Sequence, residues 1–405
     1  MQLPGSTTPL LLGIYLISAA PDLMALETNI TLELEAKGFT SIESNTNPDE
    51  PGLFDRDIAA SLEPEFKSSF NEGSTFATFT PFGRWDSRDS ERRHGDIREL
   101  NIVHVSGSWE TMAGIGKVFW GVTESSHLVD IINQTDYLEG FDGEDKLGQP
   151  MIRLSRSFDQ SSVTAFVLPG FRNREFLSRD NPLAPPFDID NSEPVYQSED
   201  QQQHIDYALR YSGYLDIIDY GLSWFDGTSR EPGFLPGDDG RMVPFYPQMQ
   251  QIGLDLQITS GAWLWKLEVI RRAFDHNPTS EDFSAMVGGL EYSFYSIADG
   301  LFDLGLLAEQ HYDSRDDRAT VTFQNDLFIA TRLGFNDAES SEVLAGAFID
   351  MDDDSASFRV EANRRVFTDA RISIEAQAFS NVDPGNVSYG LRNSDFILVS
   401  LELFF

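Results

Sequence analysis

Residues 395–405, DFILVSLELFF, carry the clearest fold signal in this chain, which ends on Phe405. Because side chains alternate between the two faces of a strand, one face is entirely apolar. That face consists of Ile397, Val399, Leu401, Leu403 and Phe405. An apolar outer face that ends on an aromatic residue is typical of transmembrane β-barrels, whose aromatic side chains lie at the membrane interface. The alternative is a buried edge strand at the end of a soluble sandwich.

Composition narrows the class of protein. The chain has 405 residues, of which 40% are hydrophobic, and no run of about 20 apolar residues follows its N-terminus, which excludes a helical membrane protein. The 31 Phe, 12 Tyr and 6 Trp residues are a supply of aromatic side chains for interfacial girdles. The absence of Cys excludes disulfides and thiolate metal sites. The net charge of −37 argues against binding to nucleic acid.

The first 25 residues resemble a secretory signal peptide. Residues 10–20, LLLGIYLISAA, form an apolar run of the length found in such signals, and Ala25 offers a small residue before a cleavage point. No Lys or Arg precedes the run. The alternative is a buried N-terminal strand. We therefore predict a signal peptide at residues 1–25 and a barrel over residues 26–405.

Segments with period-two alternation recur along the chain, and the joints between them alternate in length. The short joints are residues 71–74, 106–108, 158–161, 213–215, 260–261, 296–300, 336–340 and 368–369. The long polar joints are residues 41–56, 86–96, 122–149, 171–203, 227–246, 275–282, 313–318, 351–354 and 380–394. This alternation is typical of periplasmic turns and extracellular loops. It predicts a transmembrane antiparallel up-and-down β-barrel of about 18 strands, with 16 possible, in the bacterial outer membrane with both termini periplasmic.

The predicted strands have one apolar and one charged face. In residues 262–272, Trp263 and Trp265 lie opposite Lys266 and Glu268. A soluble sandwich would also alternate, but it would not need so many strands. Since charges on one face need water, we predict that basic side chains line a pore. These are Arg153, Arg210, Lys266, Arg272, Arg332, Arg359, Arg365 and Arg371.

The long joint at residues 122–149 follows the fifth strand, so it is the third extracellular loop. We predict that it folds inward and constricts the pore, with a helical centre at residues 124–138 capped by Thr123. The alternative is a solvated external loop. An acidic loop opposite a basic wall would select polar or charged solutes. The predicted constriction residues are Glu124, His127, Asp130, Asp136, Glu139, Asp142 and Lys146.

The stretch around this loop also carries a family resemblance. The motif GKVFWG, the pattern D-x-x-N-x-x-D and the sequence LGQPM resemble uncharacterised proteobacterial outer-membrane porin-like barrels, which distantly resemble the alginate-export porin group. One departure is Asn133-Gln134, where that family has Asn-Pro. The resemblance implies a porin-like barrel and does not identify a solute. The matching residues are Gly116, Lys117, Trp120, Gly121, Asp130, Asn133, Asp136 and Pro150.

The sequence favours a channel for passive diffusion of small polar or anionic solutes. The alternatives are a conduit for export of an anionic polysaccharide, which the family resemblance suggests, and a non-conducting barrel that binds partners at the cell surface. The six His residues form no Ser–His–acid pattern, so we expect no enzyme and no cofactor. The run from Asp350 to Asp354 with Glu361 resembles a calcium loop, but Ser355 occupies the position that needs Gly. We therefore expect a solvated hairpin tip there and no metal.

The expected partners are those of an outer-membrane protein. They are membrane lipids, lipopolysaccharide and the permeating solutes. The acidity indicates either loops that face lipopolysaccharide through divalent ions or a halophilic surface. The C-terminal strand resembles the signal that the outer-membrane assembly machinery reads, with Leu401, Leu403 and Phe405 as its assembly residues.

Overall fold

The computed structural model describes residues 26–39, 55–140, 143–275, 278–279 and 281–405. The predicted signal peptide and most of the first long joint lie outside these residues. Eighteen strands form one antiparallel sheet, in which the first strand, β1 (Glu27–Phe39), pairs with the last, β21 (Phe396–Phe404). Because this pairing closes the sheet, the barrel has no free edge. The predicted antiparallel barrel and its 18 strands are confirmed.

The strands between these two are numbered in chain order. Barrel strands of the first half are β2 (Asp55–Phe70), β3 (Thr75–Asp86), β4 (Gly95–Ser106), β5 (Trp109–Gly116), β6 (Gln149–Ser157), β7 (Ser161–Pro169), β9 (Ile205–Leu215) and β10 (Ile218–Thr228). Those of the second half are β13 (Gln248–Ser260), β14 (Trp263–Phe274), β15 (Phe283–Ser296), β16 (Phe302–Asp313), β17 (Asp326–Phe335), β18 (Glu342–Asp350), β19 (Ala356–Phe367) and β20 (Ala370–Ser380). A separate three-stranded sheet in the loops contains β8 (Val195–Tyr196), β11 (Gly233–Pro236) and β12 (Met242–Tyr246).

Where the structure describes the chain, helical structure is limited to short turns. In the described part of the chain, no helix is long and apolar enough to cross a membrane. The turns are Asn71–Gly73, Gln201–Gln203, Ile297–Gly300, Asp316–Arg318 and Val387–Leu391.

The short turns and the C-terminus lie at one edge of the barrel. The N–H of Phe404 donates to the carbonyl of Asp369 in the β19–β20 turn at 2.9 Å. The joint predicted at residues 213–215 is wrong, because β9 continues to Leu215 and the turn consists of Asp216 and Ile217. Gly213 is needed for close approach instead, since a Cβ there would lie 2.5 Å from the carbonyl oxygen of Gln160.

The outer face of the barrel is apolar, as the alternation in β14 shows. Trp263 and Trp265 are 42% and 45% exposed, whereas Glu268 on the opposite face is fully buried. Trp263 also packs edge-on against Tyr292 of the neighbouring strand, with ring centroids 4.6 Å apart. Exposed apolar side chains of this kind on a closed sheet need a lipid environment, and they form the outward band of a membrane barrel.

The opposite faces of the barrel strands β5–β7, β9, β10 and β13–β15 share one apolar core with the connection that follows β5. Phe225 illustrates the facing, because it is buried while its neighbour Trp224 is 39% exposed. The connection contributes Trp120, Val129, Ile131 and Ile132 to this core. The strands contribute Met112, Met151, Phe166, Leu168, Ala208, Phe225, Met249, Ile270, Phe283 and Ala285.

Candidate functional site: the connection after β5

The connection between β5 and β6, residues 117–148, is called the β5–β6 segment below. Its centre contains no helix, so the predicted helix at residues 124–138 is wrong. The side chain of Asn133 accepts from the N–H of Val118 and donates to the carbonyls of Gly116 and Leu147, all at 2.9 Å. These bonds hold the two ends of the segment together as a folded-back loop. Its apolar residues pack into the core described above.

Two buried carboxylates anchor the start of this segment. Glu268 of β14 accepts from the N–H groups of Val122 at 2.7 Å and Thr123 at 3.2 Å, and from the Thr123 hydroxyl at 2.8 Å. The same carboxylate accepts from the N–H of Val129 at 3.2 Å. Thr123 therefore binds the wall and does not cap a helix, which corrects the sequence prediction.

Glu309 of β16 continues this anchoring. Its carboxylate accepts from the N–H groups of Glu124 and Ser125, both at 2.9 Å, and from the Ser125 hydroxyl at 2.5 Å. Ser125 also lies 2.7 Å from Nε2 of His311. Four consecutive backbone N–H groups are thus bound by two carboxylates that are 0% and 1% exposed. Sequence reasoning placed Glu268 on a charged face but missed both residues as anchors, because no spacing rule marks which acid will meet a distant loop.

The predicted constriction residues form ion pairs with the wall or within the segment. The carboxylate of Glu124 lies 2.7 Å from Arg332 and 3.6 Å from Lys266. His127 lies 2.9 Å from Glu144 and 3.8 Å from Glu268. Burial disfavours the imidazolium of His127, but the two carboxylates outweigh burial and raise its pKa to about 10. The imidazolium therefore persists at neutral pH.

The remaining constriction residues lie deeper in the segment. Asp130 is 3.2 Å from Lys146, and its burial raises its pKa above the usual value. Asp142 lies outside the described residues. The other pairs are Asp136–Arg98 at 2.5 Å and Glu139–Arg84 at 2.5 Å.

Asp136 and Glu139 also form the one described cluster whose ligand atoms are close enough for a metal ion, together with His94. However, Arg84 and Arg98 each lie 2.5 Å from one of these carboxylates. Two guanidinium groups at that distance already neutralise the carboxylates and repel a cation, so the donor set does not fit a metal ion. The run from Asp350 to Asp354 is a tight connection between β18 and β19, and Glu361 lies in β19.

The predicted basic wall is largely paired with carboxylates. Arg210 is an example on the side of the barrel that packs against the β5–β6 segment. Its guanidinium lies 5.0 Å from the centre of the Trp120 ring and 2.8 Å from the Asp255 carboxylate. Arg365 lies on the inward face of β19, where it is the register partner of Arg371. Seven of the eight predicted residues lie within 4.0 Å of a carboxylate, in the pairs Arg153–Glu110, Arg210–Asp255, Lys266–Glu124, Arg272–Glu231, Arg332–Glu124, Arg359–Glu361 and Arg371–Glu402.

Open space lies on the other side of the segment. A cavity of about 350 Å³ is bordered by Tyr137 and Glu139 of the segment and by residues of β1 and β19–β21. A second cavity of about 290 Å³ is bordered by Glu124 and His127 and by residues of β17–β19. Both are lined by Arg359 and Glu361, so the two cavities adjoin. Of the predicted basic wall, Arg359 alone borders these cavities among the described residues.

The C-terminal assembly residues lie at the closing seam. The N–H of Phe405 donates to the carbonyl of Ile30 at 2.9 Å, and the N–H of Ile30 donates back at 3.0 Å. Leu401 and Leu403 pair in register with Leu34 and Leu32 of β1. The predicted strand is therefore the one that closes the barrel.

No protein-family model matches the chain, and no curated protein matches it. Solved structures do. OccAB3 of Acinetobacter baumannii has a TM-score of 0.54 at 10% identity, over 94% of this chain and 99% of that chain. A BenF-like porin from Pseudomonas fluorescens Pf-5 has a TM-score of 0.55 at 11% identity, over 95% and 98%. OpdQ of Pseudomonas aeruginosa has a TM-score of 0.53 at 11% identity, over 94% and 97%.

The fold is thus that of the porin-like β-barrels of the Gram-negative outer membrane. The similarity extends over nearly the whole chain and nearly the whole of each matched structure, so the barrel is one unit. Together with the apolar outer face, it indicates a barrel embedded in a membrane. The predicted porin-like barrel is confirmed, and a non-enzymatic barrel agrees with this fold.

Proposed function

We propose that the protein is an outer-membrane channel through which small polar solutes diffuse passively, and that the β5–β6 segment lies inside the barrel and narrows it. One observation carries this proposal. The N–H groups of residues 122–125 bind Glu268 and Glu309, whose side chains lie on the face opposite to the exposed Trp263 and Trp265. A segment held on that face reduces the cross-section that a solute can use.

The contacts support a polar solute more than an anionic one. The expectation of anionic solutes depended on a basic wall, and most of its residues are paired. Arg210 and Arg371, for example, lie 2.8 Å and 2.6 Å from Asp255 and Glu402. A guanidinium beside a carboxylate has little net charge to offer to a passing anion. We therefore propose polar solutes without a preference for anions.

The two alternatives have less support. The conduit for an anionic polysaccharide depends on the alginate-export resemblance of residues 116–150, and no contact among the described residues favours it. The non-conducting barrel depends on the long loops alone. Conductance separates the surface-binding barrel from the other two, because only that barrel passes no current. Neighbouring genes for polysaccharide polymerisation would favour the conduit over the diffusion channel.

The test is single-channel conductance of the purified protein in planar bilayers. The wild type should conduct in discrete steps. Excising residues 124–146 and closing the gap with a short Gly-Ser linker should raise the conductance severalfold. As a control, replacing the exposed loop tip at residues 238–240 by Gly-Ser should leave conductance unchanged. A wild type that does not conduct overturns the channel, and unchanged conductance in a folded excision variant overturns the constriction.

A further inference from the structure

The two adjoining cavities are open space beside the β5–β6 segment, called the passage below, and their lining is acidic. Among the described residues, nine carboxylates border the two cavities against four Lys or Arg side chains. His127 adds one further positive charge at neutral pH. We infer that this passage selects for cations, so that the preferred solutes are small polar molecules with a positive charge, such as protonated amines. The inference rests on the proposed channel function.

The three arginines of the passage are already matched, whereas Lys37 lies over the Phe396 ring at 4.8 Å. Arg84 lies 2.8 Å from Glu35 and 2.5 Å from Glu139. Arg92 lies 2.8 Å from Asp86 and 3.4 Å from Glu35. Arg359 forms an ion pair with Glu361. Outside the lining, Arg332 and Lys266 lie beside Glu124. Even when these two and His127 are counted, the nine carboxylates outnumber the positive charges, so the excess charge that a solute meets is negative.

The strand register also places two of these carboxylates directly opposite each other. Glu361 of β19 is the direct register partner of Glu375 of β20. Like charges directly opposite each other on one face destabilise a sheet. This acidic pair lies on the inward face of the wall and borders the larger cavity. A cation beside the two carboxylates relieves their repulsion, which an anion would increase.

One basic pair lies on the same wall and limits where the effect acts. Arg365 of β19 is the register partner of Arg371 of β20. This pair lies two inward-facing positions closer to the short-turn edge than Glu361 and Glu375. Arg371 is bonded to Glu402 at 2.6 Å. Neither arginine borders the two cavities. The cation preference therefore arises at the level of Glu361 and Glu375, beside the β5–β6 segment.

A narrow passage strengthens the effect of these charges. Walls of low dielectric constant focus the field of one sign of charge, and rings of carboxylates are a usual basis of cation selectivity. Salt screens the field of a charge beyond about 10 Å at 0.1 M and beyond about 3 Å at 1 M. The preference should therefore be strong in dilute KCl and weaker in concentrated KCl.

The first test is the reversal potential of single channels in a KCl gradient. The wild type should reverse at the sign expected for K⁺ permeation, and the triple variant Glu33→Gln, Glu361→Gln, Glu375→Gln should lose most of that potential. The matched control removes three carboxylates from the exposed short turns, as Glu72→Gln, Asp216→Asn and Asp299→Asn, and should keep the wild-type value. A conducting wild type that is unselective or prefers Cl⁻ overturns this inference and leaves the channel function intact. A barrel without conductance overturns both.

The absence of Cys permits a second test. Asn363 borders the larger cavity and lies one inward position from Glu361, so Asn363→Cys introduces a single thiol into the passage. A cationic methanethiosulfonate should modify this thiol at least severalfold faster than an anionic one. Adding the triple glutamine change should bring the two rates together. Equal rates with all carboxylates present would contradict the inference even if the triple variant failed to fold.

Discussion

The carboxylate of Glu268 accepts a hydrogen bond from the backbone N–H of Val122 at 2.7 Å, although the two residues are 146 positions apart. Glu268 is fully buried, so its charge depends on such donors for stabilisation. The β5–β6 segment and the wall thus depend on each other. The segment needs a fixed acceptor, and the buried acid needs the segment's N–H groups.

Replacing Glu268 and Glu309 together by Gln should loosen the β5–β6 segment. Hydrogen bonds to a charged acceptor contribute about 1.5–3 kcal/mol, against about 0.5–1.5 kcal/mol for neutral pairs. The variant should therefore lose on the order of 1 kcal/mol for each bond that becomes neutral. We expect frequent transitions between conductance levels in single-channel records, with the barrel still folded.

The matched control for this pair is Glu110→Gln. Glu110 is a half-exposed acid of β5 that pairs with Arg153 away from the segment. The Glu110→Gln variant should give single-channel records as steady as those of the wild type. Steady records from the double variant would mean that the apolar packing of Ile131 and Ile132 alone holds the segment.

The charge of His127 should make the anchoring of the segment depend on pH. Its pKa is about 10 in the folded segment and close to 6.5 when the segment is released. A raised folded-state pKa gives stability that is fully present below pH 6.5, declines above it, and is lost once pH passes about 10. Conductance fluctuations should therefore increase from pH 6.5 to pH 10.5. The substitution His127→Asn should remove this pH dependence. If the variant kept the wild-type pH profile, the pH dependence would belong to another titrating group.

Replacing Leu401 and Leu403 by Asp should prevent assembly. Both pair with apolar residues of β1 on the lipid-facing side. A basic residue on the lipid-facing side costs about 2–4 kcal/mol at the bilayer midplane and about 0–1 kcal/mol near an interface, and Asp costs less, so the two substitutions together should weaken the seam. The measurement is heat-modifiable mobility of the outer-membrane fraction. Ser373→Asp on the inward face is the control and should assemble; normal levels of the Leu variant would count against the lipid-facing assignment.

Deleting Phe405 should also reduce assembly, but by a different route. It removes the reciprocal bonds with Ile30 at the end of the seam. We expect more periplasmic aggregate and less folded barrel in the same assay. Phe405→Tyr, which keeps both backbone bonds and an aromatic ring, should behave as the wild type.

Replacing Arg359, Arg365 and Arg371 by Gln should shift the reversal potential further toward cations. Arg359 and Arg371 are bonded to Glu361 and Glu402, so their removal leaves two carboxylates without these partners. Folding should change little, because Arg365 and Arg371 are exposed. An unchanged reversal potential would mean that current flows along another wall.

Much of the fold was predictable because β-barrels repeat one simple rule. Alternation in residues 262–272 predicted the facing of β14, and the alternating joint lengths predicted 18 strands. Local sequence decides both features, since each strand makes its backbone hydrogen bonds to its two neighbours and turns one face to lipid. The turn after β9 was misplaced because Gly213 signals a turn but serves close backbone packing.

The site was less predictable because its contacts are long-range. The apolar residues of the β5–β6 segment fit a helical face, yet Val129, Ile131 and Ile132 pack into a core supplied by β5–β15. Nothing in the spacing of Glu268 or Glu309 indicates that backbone donors more than a hundred residues earlier will bind them. The basic side chains were identified by facing alone, whereas their effect depends on cross-strand acids such as Asp255 and Glu402.

The seam between β1 and β21 also sets the order of events during biogenesis. Every hydrogen bond that closes the ring joins the first barrel strand to the last, so none can form until the whole chain has been synthesised and exported. Until then, β1 has an unpaired edge, which invites aggregation. Bringing such distant segments together carries a loop-closure cost and slows folding. A chain in which β21 has not yet paired therefore exposes this edge, and pairing of the final nine-residue strand, Phe396–Phe404, ends that exposure.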